Sequence, residues 1–448
     1  MSVNLLPGRV ARWQSNMRNQ SKFLPFVLLI LFIAIVGSVA AEITDTNTYL
    51  PLVQSAPPTP TPTPTATPVA TPMTEFRGLW VSRFDWTQFG QPANPAKIDE
   101  IVQNAALAGF NVIFFQVRGV ADAYYTPGPE PWAARMTGTT LGQPPNPMWD
   151  PLAYLIAAAH TANIQVHAYL NVYPVWDNCT TPPPVVSPLP LYHLLNQQHG
   201  TNNGFQWDTN NQVHCSGYIR ATPADIYTDN HLISVATYLV DNYDIDGLHL
   251  DNIRYGGVNT SCDPVSEARF GNDCFTAGYA NWQRTQVNGT VARFYNEVVL
   301  THQDIWLSAA VWPVHIDEWG WGASEGYHDY YQDSKAWLAA ATIDSISPMI
   351  YPGTYNCPDN SFWTLSRWET LAQDYQADNS GRYVIPGIGT GYCSFSEIEN
   401  RIAAARNAGT IGHALFSYGA LLTNGYFDDL ANGPYAVPAV VPTIPWHN

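Results

Sequence analysis

The run Asp246-Gly247-Leu248-His249-Leu250-Asp251 alternates in polarity and ends on an acid. Side chains on a strand alternate faces, so Leu248 and Leu250 share one side while His249 and Asp251 share the other. The same parity groups His167, Tyr169 and Asn171 in Gln165–Asn171, and Phe114, Gln116 and Arg118 in the run before it. Polar groups on the inner face of buried strands are costly unless they do chemistry or satisfy one another. A self-satisfied network, in which His249 and Gln116 only bond neighbours, is the competing reading. The chemistry open to a strand-end carboxylate such as Asp251 is attack on an anomeric carbon or activation of water. A second carboxyl then supplies a proton to the leaving oxygen. Candidates for that second group are Asp122, Glu130, Asp317, Glu318 and Glu325. Glu318 is the first choice, because Trp312, Trp319 and Trp321 surround it in sequence and would desolvate it. Tyr124, Tyr125, Trp132, Trp149, Trp176 and Trp207 crowd the other loops. Aromatic faces stack on sugar rings and also anchor long loops, so both roles are expected among them.

Positioning such a set requires a frame. Strands are predicted at Arg77–Arg83, Asn111–Arg118, Ile164–Asn171, Ile245–Tyr255, Ile305–Trp312, Ile343–Tyr351, Tyr383–Gly389 and Gly412–Tyr418. Helical patterns with cap signals alternate with them: Lys97–Ala108, Pro151–Ala162, Pro223–Asn242, Tyr279–Thr301, Ser334–Ala341, Ser361–Asp378 and Ser394–Ala408. Strands alternating with helices in this number predict an α/β fold, a (β/α)8 TIM barrel with long loops on its C-terminal face, where the site must lie. A doubly wound open sheet is disfavoured, because no Gly-rich phosphate loop follows the first strand.

The chain has 448 residues, 46% hydrophobic and 12% charged, with a formal net charge of −17. Charged residues usually make up roughly a quarter of a chain. The four basic residues before position 42 are unaccompanied by acid, which leaves fifteen basic against 36 acidic residues beyond it. Nucleic acid and anionic lipid surfaces are therefore excluded as general partners. A basic stretch, an apolar run from Phe23 and the small residues Gly37–Ala41 make residues 1–41 an export segment. It is either a cleaved signal peptide or a retained N-terminal membrane anchor, a tether through residues 23–41. Residues 42–74 are a Thr/Pro-rich linker, 75–432 the barrel, and 433–448 a Pro-rich tail without helical or strand period. The protein is expected to be extracytoplasmic and monomeric.

All six cysteines follow the export segment and fall in predicted strand-to-helix loops. Fifteen pairings are formally possible. Pairing Cys179 with Cys215 and Cys262 with Cys274 would close the loops after the third and fourth strands, and Cys357 with Cys393 would tie the sixth loop to the seventh. A zinc cluster is disfavoured because no C-x-x-C spacing occurs and the histidines are dispersed. No metal or cofactor is expected.

Taken together, the motifs resemble the glycosyl hydrolase-like 10 domain family. They are Phe76-Arg77-Gly78-Leu79-Trp80-Val81, Gln116-Val117-Arg118 with Asp122-Ala123-Tyr124-Tyr125, Pro131-Trp132 and Asp150-Pro151-Leu152. Next come Val166–Tyr173, Tyr243–Asp251 with Arg254-Tyr255, Asp333-Ser334 with Trp337, Ile343-Asp344 before Pro348 and Tyr351, and Phe416-Ser417-Tyr418. The resemblance covers nearly all of residues 75–430. It implies a TIM barrel that cleaves glycosidic bonds, similar to envelope enzymes acting on peptidoglycan glycan strands. It also makes Asp122 the second choice for the acid. The set expected to face substrate is Gln116, Arg118, Tyr125, His167, Asn171, His249, Arg254, Trp312 and Tyr351. Two positions depart from the family pattern: Asn252 replaces a second acid, and Met349 replaces the Gln of a Pro-Gln-x-Tyr motif. A hydrolase acting on a polysaccharide, a degenerate carbohydrate-binding barrel and a structural surface protein are the three function classes that follow.

Overall fold

The computed structural model describes residues 71–357 and 361–447. The export segment and all but the last four residues of the linker lie outside them. Among the described residues no helix is long and apolar enough to cross a membrane.

Local chemistry sets the helix boundaries. At α1 (Pro95–Ala108) the Asn94 side chain accepts the Ala96 N–H, Pro95 starts the first turn, and Gly109 ends the helix at φ 87°. Asp150 caps α2 (Pro151–Thr161) and Asp225 caps α3 (Ile226–Asn242), each accepting two backbone N–H groups. The remaining helices around the sheet are α4 (Tyr279–Arg293), α5 (Ser334–Ala339), α6 (Leu365–Ala377) and α7 (Phe395–Ala408).

The strands are β1 (Phe76–Val81), β2 (Val112–Arg118), β3 (Gln165–Asn171), β4 (Gly247–Asp251), β5 (Trp306–Val311), β6 (Ser345–Pro348), β7 (Tyr383–Val384), β8 (Gly387–Gly389) and β9 (Gly412–Phe416). All are parallel, in the order β7-β6-β5-β4-β3-β2-β1-β9-β8. The two ends of that order are halves of one segment, the predicted seventh strand, divided at Ile385-Pro386. The Ile385 N–H still donates to the Ile346 carbonyl (2.9 Å) and the Ala414 N–H to the Pro386 carbonyl (3.2 Å). Hydrogen bonding therefore runs round to its own beginning. The architecture is TIM-barrel-like.

Outward-facing Leu79, Ile113, Phe115, Val166, Leu248, Leu250 and Leu307 pack against the helices in one continuous apolar layer. Inside, Phe76, Trp80, Phe114, Tyr169, Trp306 and Ile385 form a second cluster. Space there is limiting: a Cβ on Gly247 would lie 2.6 Å from the His167 ring, so only glycine lets β4 approach β3 at this level.

The C-terminal stretch differs from its sequence reading as a tail. Ala439–Val440 pairs in parallel with Met73–Thr74, at the linker's end. The fully buried Arg77 donates to the Val437 carbonyl (2.9 Å) and lies 4.4 Å from the Tyr435 ring centre. Further on, Trp446 and His447 both donate to Asp344, at 2.6 and 2.8 Å. Proline removes donors but leaves carbonyl acceptors, so a Pro-rich strand suits a base that presents a buried guanidinium.

Candidate active site

Asp251 is the last residue of β4, and its side chain is 13% exposed, enough to meet a ligand. Four groups hold it. The Tyr169 hydroxyl donates to Oδ2 (2.8 Å), and the Asn252 amide side chain donates to the same oxygen (3.3 Å). The Asn252 backbone N–H (2.5 Å) and Arg254 Nη1 (3.2 Å) donate to Oδ1. Burial and the neighbouring Asp251 raise the Tyr169 pKa well above the phenol range, so Tyr169 remains a donor. Asn252 takes a left-handed conformation (φ 52°), which Asn tolerates better than most residues. Its side chain also donates to Asn171 Oδ1 (3.2 Å), and Asn171 in turn donates to the Gly119 carbonyl (3.0 Å). Among the described residues no second carboxyl touches Asp251.

Below Asp251 the interior is a neutral hydrogen-bonded stack. Trp80 Nε1–H donates to His249 Nε2 (3.0 Å), so His249 must carry its proton on Nδ1, which faces Ser308 Oγ at 2.7 Å. Burial pushes the pKa of His249 down to about 3, and burial with His249 nearby does the same for His167. Both rings are inaccessible. They support the mouth from below.

A cavity of about 220 Å³ opens beside the mouth, lined by Arg83, Asp122, Tyr124, Arg135, Trp176 and Asp177 among others. Asp122 Oδ1 accepts the Gly119 and Val120 N–H groups, at 3.1 and 2.9 Å. Burial nevertheless raises its pKa, against the pull of Arg83 and those two amides. A buried carboxyl with a raised pKa thus lines a recess on the C-terminal face. Glu130, eight residues on, is the opposite case. Burial alone would raise it, but Arg118 and His231 hold it down to about 2.

The family model for glycosyl hydrolase-like 10 matches residues 75–373. The chain belongs to this family. Among curated relatives it is similar to glycosyl hydrolase YngK of Bacillus subtilis, at 24% identity over 413 residues, covering 83% of this chain and 74% of the relative. It is also similar to glycosyl hydrolase DigH of Escherichia coli, at 26% identity over 306 residues, covering 61% of this chain and 65% of the relative. The chain thus spans just under two thirds of DigH. Among solved structures, the PgaB (BpsB) glycoside hydrolase domain from Bordetella bronchiseptica superposes with a TM-score of 0.58 at 12% identity, over 84% of this chain and all of that one. The catalytic domain of a β-amylase from Paenibacillus polymyxa gives 0.51 at 12% identity, over 80% and 98%. At such identity the likeness is one of fold.

Against the glycosyl hydrolase-like 10 pattern, the structure separates the expected residues into three groups. Asp251, Asn171, Arg254, Trp312 and Tyr351 gather at the mouth. Arg254 lies 5.4 Å from the Trp312 ring centre, and Tyr351 stacks on Phe416 at 5.0 Å within the field of Asp251. His167, His249 and Gln116 are buried beneath it, and Gln116 Oε1 accepts the Arg83 backbone N–H (2.9 Å). Arg118 and Tyr125 are not at the mouth. A bulge between Gln116 and Arg118 shifts the register, so Arg118 pairs with Leu170. Its guanidinium is spent on Glu130, Val172 and Pro174. Tyr125 is fully buried between Tyr238 and Tyr243.

Glu318 is exposed, and Trp319 and Trp321 stack on each other at 4.6 Å instead of covering it. The desolvated environment expected for it is absent. Its neighbour Asp317 ties the loop by accepting the N–H groups of Trp321, Gly322 and Ala323. Trp132, at 6% exposure, is likewise a core residue.

The three disulfides join Cys179 to Cys215, Cys262 to Cys274 and Cys357 to Cys393. The first braces a three-stranded antiparallel sheet, Pro174–Trp176, Tyr218–Arg220 and Cys215–Ser216, that overhangs the mouth. This insertion brings in Tyr218 and Arg220, which sequence reasoning missed. Arg83, Phe84, Phe89 and Arg135 were missed too, and the adjacency of Arg83 and Phe84 just beyond a strand end was the available signal.

Proposed function

We propose that the protein is an extracytoplasmic glycoside hydrolase acting on a polysaccharide, cell-wall peptidoglycan glycan being the first substrate to test. The observation that carries this reading is the presence, on the C-terminal face of one barrel, of a firmly oriented Asp251 and of a buried carboxyl, Asp122, whose pKa burial raises. Asp251 is the nucleophile or the base toward water, and Asp122 the acid for the leaving oxygen. Asp122 replaces Glu318 as first choice for the acid. Asn252 serves this chemistry as an amide: it donates to Asp251, where an acid would compete with it for protons. Disulfides on the loops of the site face suit an oxidising compartment, and residues 1–41 would supply export, cleaved or retained.

The test is release of reducing ends from peptide-free peptidoglycan glycan strands and from neutral β-glucans. The near-isosteric Asp251→Asn should bind glycan as wild type does and turn over at least about a hundredfold slower. Equal cleavage by both proteins would contradict the assignment. A second reading, a carbohydrate-binding barrel without catalysis, is favoured by the lack of a second carboxyl in contact with Asp251 among the described residues and by Met349. It predicts that both proteins bind glycan and neither cleaves.

A further inference from the structure

Nineteen Lys and Arg residues, four of them before position 42, leave fifteen for the rest of this acidic chain. Four of the fifteen, Arg83, Arg135, Arg220 and Arg254, stand around the mouth and its side cavity. Most cations elsewhere face a carboxylate, as Arg77, Arg118, Lys335, Arg382, Arg401 and Arg406 do. At the mouth only Arg254 does, through Asp251. Among the described residues Arg83, Arg135 and Arg220 form no ion pair.

These guanidiniums alternate with aromatic rings. Arg135 lies over Phe89 (4.2 Å) and Phe84 (4.6 Å), two rings that are more than half exposed. Arg83 lies on Phe84 (4.3 Å) and donates to the Tyr218 hydroxyl (3.0 Å). Arg220 also lies 5.5 Å from the Tyr218 ring centre, and Arg254 meets Trp312, which packs on Tyr330 at 4.0 Å. A ribbon of cations and rings therefore runs from the loop after β1 to the loop after β5.

Arg220 is the informative member. It is 9% exposed, and it spends one nitrogen, Nη1, on two long bonds to carbonyls of its own hairpin, Ser216 (3.4 Å) and Tyr218 (3.2 Å). Burial and the adjacent Arg254 push its pKa down to about 10. Asp251 acts on this guanidinium only through space, so a nearly buried cation without a direct carboxylate partner, and with donors unspent, is suited to receive an anion.

Resting on the glycosidase reading above, we propose that the mouth selects a glycan whose sugar units carry carboxylates, with Arg220 receiving one carboxylate and Arg83 with the flanking rings holding the next sugars. Rings take the sugar faces and guanidinium forks take planar carboxylates. The chain's net charge of −17 repels a dense polyanion, whereas carboxylates spaced along a sugar chain meet this local reversal of charge.

The test is titration calorimetry of the full chain with an oligosaccharide of alternating N-acetylglucosamine and N-acetylmuramic acid, free of peptide, and with the same oligosaccharide after its carboxyls are reduced to alcohols. Oligogalacturonate forms a second arm, which distinguishes a lactyl from a uronate carboxylate. The acidic form of at least one probe should bind about tenfold or more tighter than its reduced form, and added salt should shrink the difference. Arg220→Gln should collapse that ratio toward one, and Arg220→Lys should restore part of it. Equal binding of acidic and reduced forms, binding of neither, a ratio untouched by Arg220→Gln, or tighter binding of a single-stranded oligonucleotide would each overturn the proposal. Cleavage is scored separately: preference without cleavage by wild type removes the hydrolase reading and leaves this one standing.

Discussion

The two ends of the barrel treat charge in opposite ways. At the base, Glu75 is shared by Arg77 Nε (2.7 Å) and by both forks of Arg406 (2.7 and 2.9 Å). Asp344 there takes Trp446, His447 and Arg382. Every one of these charges is matched, and the matched set binds residues 433–447 to the barrel floor. At the mouth, cations outnumber their carboxylate partners, and the pKa of Asp122 is raised by burial where direct pairing would lower it. Glu75 and Asp122 are both buried carboxyls near arginines, yet Glu75 is held down to about 2 and Asp122 is raised. The difference lies in contact. Arg77 and Arg406 bond Glu75 directly, while the Arg83 guanidinium bonds Tyr218 and acts on Asp122 only through space. Direct pairs stabilise the fold, and unmatched charge is available to a ligand.

This contrast can be broken in several places. The largest effect on stability is expected from Glu75→Gln, which leaves Arg77 buried without its partner. A loss of about 3–5 kcal/mol is expected, read by urea unfolding, with glycan affinity of the folded fraction unchanged. In the wild type the same contribution is present above the ordinary Glu pKa near 4.5 and is lost as pH falls toward about 2, because pairing lowers the folded-state value. A comparable loss of glycan affinity in Glu75→Gln would show that base and mouth are not separable.

A smaller effect is expected from replacing Cys179 and Cys215 together by Ser, on the order of 2–4 kcal/mol. That bridge braces the hairpin carrying Arg220, so glycan affinity should fall in the folded protein as well. Thiol titration of the denatured, unreduced protein should find no reactive cysteine. The smallest effect concerns His447. Burial opposes its charge, but Asp344 outweighs this and raises its pKa above 6.5. Its contribution is therefore complete below that value and is lost as pH rises through the raised one. The melting temperature should sag slightly as pH rises above about 6.5, and His447→Gln should remove the sag.

How much of this was legible in the sequence depended on whether a signal was local. The strands of the barrel were readable because the short apolar runs lie between helical patterns with punctuation such as Asp150-Pro151 and Gly109, whereas the caps at Asn94 and Asp225 move two helix starts by a few residues from those read in the sequence. The placement of Asp251 followed from parity, since β4 is regular and five residues long. The cysteine pairs were readable because each joins one loop to itself or to a neighbouring loop. Parity failed at Arg118, where a bulge adds a residue and turns the guanidinium toward Glu130. It offered nothing for Tyr218 and Arg220, which sit in a long insertion with no period and reach the mouth only through antiparallel pairing with Pro174–Trp176. Glu318 was misjudged because adjacent Trp residues in sequence do not imply a shared face in a loop. The tail was misjudged because proline suppresses secondary-structure period without preventing its carbonyls from accepting hydrogen bonds.

In this mechanism the mouth divides labour between Asp251 and Asp122, the carboxyl whose pKa burial raises. The most direct measurement compares Asp122→Asn with wild type on a natural glycan and on the same sugar carrying a dinitrophenyl leaving group, which departs without a proton. Asp122→Asn should lose about 10²–10⁴-fold on the natural glycan and release dinitrophenol from the activated substrate at a near-wild-type rate. Equal losses on both substrates, or no loss on either, would contradict it.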